Sequence, residues 1–242
     1  MKALWLALLA AGCTSAPVGR VLVFTRTTGF RHDSIPQARA AFERLLAGEG
    51  LAADATEDES AFSAANLDRY RGVAFLLTTG EILSGEGKAA FEEWIRRGGA
   101  LIGIHSAADT EYGWPFYAEL LAAQFKSHPA IQRARLTVID ATHPSTAGLA
   151  QVWERTDEWY DFRQSPRGRV RVLVNLDETS YQGGGMGADH PWSWCRDLDR
   201  GRSFYTAGGH TAESWSEPLF LSHVRGGIRA ALRLAPARCD PN

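Results

Sequence analysis

Gly98-Gly99-Ala100-Leu101-Ile102-Gly103-Ile104-His105-Ser106-Ala107-Ala108-Asp109 is the stretch on which the reading of this chain turns. The glycine pair ends a helix, the apolar run makes a strand with no polar side, and the strand stops on a histidine between small residues. A strand apolar on both sides belongs inside a parallel sheet covered by helices. A tight strand-to-helix turn tolerates only small neighbours, and in enzymes of this architecture its tip carries a Cys or Ser nucleophile. Here the tip is His105. An imidazole can take a proton, hold a metal or bind a sugar hydroxyl, but it is a poor acyl-transfer nucleophile.

Outward from this stretch, the flanks repeat the same alternation. Residues 20–25 read as a buried strand; Ser34 then caps a helix whose Ile35, Ala38, Phe42, Leu45 and Leu46 keep helical spacing until Gly48 and Gly50. A weak strand follows over 51–56 and a strong one over 72–78. Ser84 starts a helix with Phe91, Trp94 and Ile95 facing inward. Strands alternating with helices imply right-handed crossovers, so the fold expected is a doubly wound, mainly parallel α/β sheet in a single domain over 20–236. The second half is less regular: a helix over 114–123, strands over 135–140, 152–156, 170–176 and 203–207, and a closing helix over 217–234 weakened by Gly226-Gly227. Gly183-Gly184-Gly185 reads as a flexible lid or turn, lacking the strand-to-helix setting and Lys of a phosphate loop.

With 26 basic against 28 acidic side chains, a formal charge of -2 gives no reason to expect nucleic acid or an anionic membrane surface as partner. A small neutral ligand fits better. Residues 1–19 have the layout of an export signal and tether: Lys2, the apolar run 3–10, then Ala11-Gly12-Cys13. That order resembles a bacterial lipoprotein signal. It implies an extracytoplasmic protein, in the periplasm or at the cell surface, whose only membrane contact is a lipid anchor on Cys13; an ordinary cleaved signal is the alternative. An oxidising compartment would let Cys195 and Cys239 pair, and free thiols are equally compatible with the sequence.

In open α/β sheets ligands bind beyond the carboxyl ends of the strands. Three predicted strands end in histidine there: the first runs into Phe30-Arg31-His32-Asp33, the central one delivers His105 with Asp109 a turn later, and the last runs through Gly208-Gly209 into His210. Asp157-Glu158-Trp159-Tyr160-Asp161-Phe162 mixes carboxylates with aromatic rings, as a sugar site requires. His105, His210, Asp109 and Glu158 are the expected catalytic set. His32, Asp157, Trp159, Trp114, His128 and His190 are the expected substrate contacts, with Trp114, Trp192 and Trp194 read as lying in loops or at helix starts. His143 reads as a turn residue and His223 as structural or exposed. No motif of fixed metal spacing is present, so no cofactor is expected, although His32, His105, Asp109 and His210 could geometrically assemble a metal site.

At these residues the chain resembles the ThuA-like (trehalose-utilisation) family, within the flavodoxin-like, class I glutamine amidotransferase-like superfamily. The resemblance runs through Phe30-Arg31-His32-Asp33-Ser34, Gly103-Ile104-His105-Ser106-Ala107-Ala108-Asp109, Phe125-Lys126-Ser127-His128-Pro129, Asp157-Glu158-Trp159-Tyr160, His190-Pro191-Trp192-Ser193-Trp194, Gly201-Arg202-Ser203-Phe204-Tyr205-Thr206, Gly209-His210-Thr211 and Gly226-Gly227-Ile228. It implies that His105 stands where an amidotransferase has its cysteine and His210 where that class has its catalytic histidine, so glutaminase activity is not expected. It further implies processing of disaccharides, glycosides or their 3-keto derivatives. A non-catalytic carbohydrate-binding lipoprotein and a serine hydrolase using Ser106 and His210 are the competing expectations.

Overall fold

Each apolar run of the first half is a strand and each amphipathic segment a helix in the computed structural model, which describes residues 19–242. The first half comprises β1 (Gly19–Phe24), α1 (Ile35–Gly48), β2 (Leu51–Thr56), α2 (Ala64–Leu67), β3 (Gly72–Leu76), α3 (Gly85–Arg96) and β4 (Ala100–Ile104). The second comprises α4 (Pro115–Leu121), β5 (Phe125–Ser127), β6 (Gln132–Val138), β7 (Val152–Asp157), β8 (Asp161–Phe162), β9 (Arg171–Asp177), β10 (Pro191–Leu198), β11 (Gly201–Thr206) and α5 (Pro218–Ala231). The expected signal and its Cys13 lie outside the described residues. No helix among the described residues is long and apolar enough to cross a membrane.

The main sheet has the order β2-β1-β3-β4-β11-β10-β9-β6-β7. From β2 to β11 all neighbours are parallel; from β11 to β7 each pair is antiparallel. Four reversals bring β7 back to the direction of β11. The residues after β7 therefore leave the sheet at the same rim as those after β1, β4 and β11. β5 and β8 form a separate ribbon. The chain is thus a single α/β domain with a parallel, doubly wound half and an antiparallel extension.

β4 lies between β3 and β11, and all five of its residues are buried, as an apolar run without alternation requires. α1 and α5 cover one face of the sheet. On the other, α3 and α4 place Phe91 and Tyr117 against Phe75 of β3, with ring centroids 5.5 and 5.6 Å apart. The glycine pair of α5 is a packing device: a Cβ on Gly226 would lie 2.1 Å from the Pro144 carbonyl oxygen, and one on Gly227 2.2 Å from the Phe204 ring. Their absence lets the helix lie directly on β11 at Gly227 and on the Pro144 backbone at Gly226, which offsets the propensity cost of two glycines in mid-helix.

Two local expectations change. Pro191 opens β10 rather than a turn, a position where its missing N–H is tolerated, so Trp192 and Trp194 are fully buried strand residues and not loop aromatics. Ser34 precedes α1 without capping it, and its hydroxyl instead donates to the His210 carbonyl oxygen at 2.6 Å. Cys195 and Cys239 form a disulfide that ties the C-terminal segment to β10.

Candidate active site

His105 follows β4 with φ +51°, a left-handed backbone that a branched or bulky residue rarely adopts. The small neighbours make this turn possible and the turn aims the ring out of the sheet. The Nδ1–H of His105 donates to the Ala207 carbonyl at 2.7 Å, and Tyr160 lies against its face, centroids 4.3 Å apart. That fixes the ring and leaves Nε2 as its working atom. Nε2 lies 3.2 Å from His210 Nδ1 and 3.3 Å from Glu158 Oε2, and His210 Nδ1 is 3.2 Å from the same carboxylate oxygen. The His32 ring stands nearly perpendicular to both imidazoles, 4.9 Å from His105 and 5.0 Å from His210 between centroids.

Three strand ends expected to meet do meet: those after β1, β4 and β11 bring His32, His105 and His210 together, and the end of β7 adds Glu158. His32, Glu158, His210, Asp109 and His128 line one cavity of about 400 Å³ with Phe30, Phe125 and Tyr160. His105 is fully buried behind that lining, in contact with its Tyr160, Glu158 and His210. His128 reaches Glu158 Oε1 at 3.0 Å.

Burial pushes the Glu158 carboxyl up, but its contacts with the His105 and His210 imidazoles outweigh it and hold the group well below the ordinary carboxylate range. For His210 burial lowers the pKa and contact with Glu158 raises it, with a net upward result. Burial, reinforced by His105 and His210, drops His32 to about 3. Asp109 is shifted the other way, raised chiefly by burial even though the Tyr112 hydroxyl donates to it at 2.6 Å.

Four expected substrate contacts are placed elsewhere. Asp157 is fully buried: its carboxylate accepts from the amides of Gly209 at 2.8 Å, His210 at 3.2 Å and Glu158 at 3.0 Å, and pairs with the Arg155 guanidinium. It holds the site residues without touching the cavity. Trp159 is a core residue whose Nε1–H donates to the Gln132 carbonyl at 2.9 Å. Trp114 is buried beside Tyr117, with Lys88 5.8 Å from its ring. His190 is fully buried between Glu178 and the Tyr160 carbonyl, each at 2.8 Å. His143 and His223 are buried as well.

Phe30, Phe125 and Tyr160 are cavity residues that sequence reasoning passed over in favour of tryptophans. Each stood within two or three residues of a chosen His or Glu, and that adjacency was the available signal. In the potential metal set Glu158 replaces Asp109: one donor atom from each of His32, His105, Glu158 and His210 lies within 4.8 Å of all the others. Ser106 is fully buried, with Oγ 3.5 Å from His32 Nδ1, and is paired with that ring rather than with His210.

A ThuA-like, amidotransferase-like α/β fold with a histidine at the turn after its central strand defines the class of protein. The trehalose-utilisation (ThuA) family model matches residues 20–231, and the chain belongs to that family. Among solved structures it is similar to a ThuA-like protein from Bacteroides uniformis, with 24% identity, TM-score 0.77 and coverage of 93% of this chain and 94% of that one. A ThuA-like protein from Parabacteroides merdae is 20% identical, with TM-score 0.72 and coverage of 89% and 90%. The β-galactosidase of Bacillus circulans sp. alkalophilus contains a similar fold, with 11% identity, TM-score 0.56 and coverage of 88% of this chain but 30% of that one. No curated protein matches the chain.

Proposed function

We propose that this chain is an exported enzyme acting on a small neutral carbohydrate, a disaccharide, glycoside or 3-keto derivative, by acid–base chemistry at the imidazole–carboxylate cluster. The observation that carries the reading is the cavity itself: its volume falls in the small-ligand range of roughly 300–1,000 Å³, and it sets three rings among five polar side chains. Aromatic faces cover the C–H surface of a sugar, while imidazoles and carboxylates serve its hydroxyls. Asp109, made more basic by burial, is suited to exchanging a proton with a glycosidic or carbonyl oxygen. The absence of a thiol at the elbow removes the amidotransferase route. The disulfide supports export, because such bonds persist in oxidising compartments.

Purified protein incubated with disaccharides and their 3-keto derivatives tests this. His105→Ala, His210→Ala and Asp109→Asn are each expected to lower turnover by about 100-fold or more, the usual worth of a positioned acid or base. Unchanged turnover in both histidine variants would remove the catalytic roles. Sugar binding without product in the parent would leave a carbohydrate-binding protein.

A further inference from the structure

We infer that His32, His105, Glu158 and His210 form a binding site for one divalent first-row transition-metal ion at the wall of the cavity. The inference uses the same cluster as the sugar reading but stands on its geometry alone.

The triangle of donor atoms His105 Nε2, His210 Nδ1 and Glu158 Oε2 has sides of 3.2, 3.3 and 3.2 Å. Ligand bonds of about 2.0–2.1 Å in a tetrahedral site put donor atoms roughly 3.3–3.4 Å apart, so this triangle is one face of such a site. His32 supplies the fourth donor, within 4.8 Å of the other three. Chemistry points the same way. His105 gives its Nδ1 proton to the Ala207 carbonyl, so in the neutral ring Nε2 is a lone pair, fully buried and aimed at a carboxylate oxygen and a second imidazole. Lone pairs converging on one point are stabilised by a cation at that point.

The surroundings match those of metal-bound histidines, whose remaining nitrogen is held by a carbonyl or hydroxyl. Ala207 holds His105, Ser106 Oγ stands 3.5 Å from His32 Nδ1, and His128 braces the second oxygen of Glu158. Three imidazoles with one carboxylate suit Zn²⁺, Co²⁺, Ni²⁺ or Fe²⁺ and not Mg²⁺ or Ca²⁺, which take oxygen ligands. An ion there would supply Lewis acidity toward a carbonyl or hydroxyl oxygen presented from the cavity. Proton transfer would then rest with Asp109 and His128, which line the cavity outside the ligand set.

The test is metal binding without sugar. Full-length protein stripped with a chelator is titrated with Zn²⁺ by calorimetry and with Co²⁺ by visible absorption. One ion per chain is expected, with the intense d–d bands of a low-coordinate Co²⁺ centre. His210→Ala and Glu158→Gln should each weaken Zn²⁺ binding by at least roughly ten- to hundredfold, the loss known even for residues that only orient a ligand. Circular dichroism screens for misfolding, and His32→Ala replaces any variant that fails it. His190→Gln, in the separate Asp161, Glu178 and His190 group, should retain parent affinity. No stoichiometric binding, or equal binding by the parent and all ligand variants, overturns the inference and leaves a hydrogen-bonded His–Glu cluster. Sugar turnover by the stripped protein is measured in parallel, so that failure of the metal site and failure of the sugar reading are told apart.

Discussion

Asp157 shows how one buried carboxylate sets two functional side chains at once. Its oxygens hold the amides of Glu158, Gly209 and His210, joining the end of β7 to the segment after β11. The charge is matched by Arg155, whose Nε also donates to Glu217 Oε2 at 2.9 Å and whose Nη2 donates to Ser214 Oγ at 2.8 Å. Removing one member of a buried ion pair costs about 3–5 kcal/mol, since the partner stays buried. Asp157→Ala should therefore lower stability by about that much, less whatever Glu217 recovers, and reduce turnover by loosening His210 and Glu158. Thermal melting checks the first and sugar turnover below the melting point the second; a melt unchanged from the parent would show that Glu217 alone neutralises Arg155. The sequence placed Asp157 in the right neighbourhood and gave it the wrong task. Strand alternation explains why: Trp153, Arg155 and Asp157 share the buried side of β7, and an acid on that side needs an internal partner.

At the level of elements, α5 illustrates what sequence periodicity can and cannot convey. Its apolar spacing was legible, and so were β1, β3, β4 and the helices between them, because buried parallel strands are near-continuous apolar runs with glycine boundaries. β10 was not legible as a strand, since His-Pro at its start reads as a turn, and the two-residue β8 has too few residues to carry a period. Nor could the glycines of α5 be read as contacts before Phe204 and Pro144 were seen against them. Gly226→Ala and Gly227→Ala improve helix propensity, worth up to about 1 kcal/mol, yet each sets a methyl into occupied space. Overpacking outweighs propensity where backbone is the obstacle, as at Gly226, and a net loss of about 1–3 kcal/mol is expected there. Gly227 meets a ring, which can shift, so its loss should be the smaller. Urea midpoints rank the two, and a stabilised Gly226→Ala would show that α5 and the Pro144 segment can part without cost.

Across the whole molecule six of the seven histidines divide into two populations with opposite duties. His32, His105, His128 and His210 gather at one rim; His143 and His223 are sealed between the sheet and α5 as neutral hydrogen-bonding groups. His223 lies 2.9 Å from the Ser145 carbonyl through Nδ1 and 3.2 Å from Thr206 Oγ1 through Nε2, while His143 Nδ1 lies 2.8 Å from Ser145 Oγ. Burial, with Arg155 and His143 adding repulsion against the Ser145 bond, lowers His223 to about 3. Burial likewise lowers His143 to about 4, Asp140 opposing it and Arg202 and Arg171 reinforcing it. Both native rings bind a proton less readily than the unfolded chain, whose histidines titrate near pH 6.5. Their stabilisation is complete above that pH and is lost as the pH falls from there toward the native values, by up to about 1.4 kcal/mol per unit for each ring. Carboxylates held low by their partners, such as Asp54 and Glu57, begin to lose stabilisation only near their own unfolded values of about 4, so the fall between about pH 6.5 and pH 4.5 reports His143, His223 and the likewise lowered His32, with Asp109, raised in the native state, acting in the opposite sense. Urea unfolding across that interval should show a steady fall in stability. His223→Gln, if folded at pH 7, should flatten the fall by one proton's worth. Parallel pH profiles for parent and variant would mean that His223 is protonated in the native state at no cost, and the division between rim and interior histidines would then not hold.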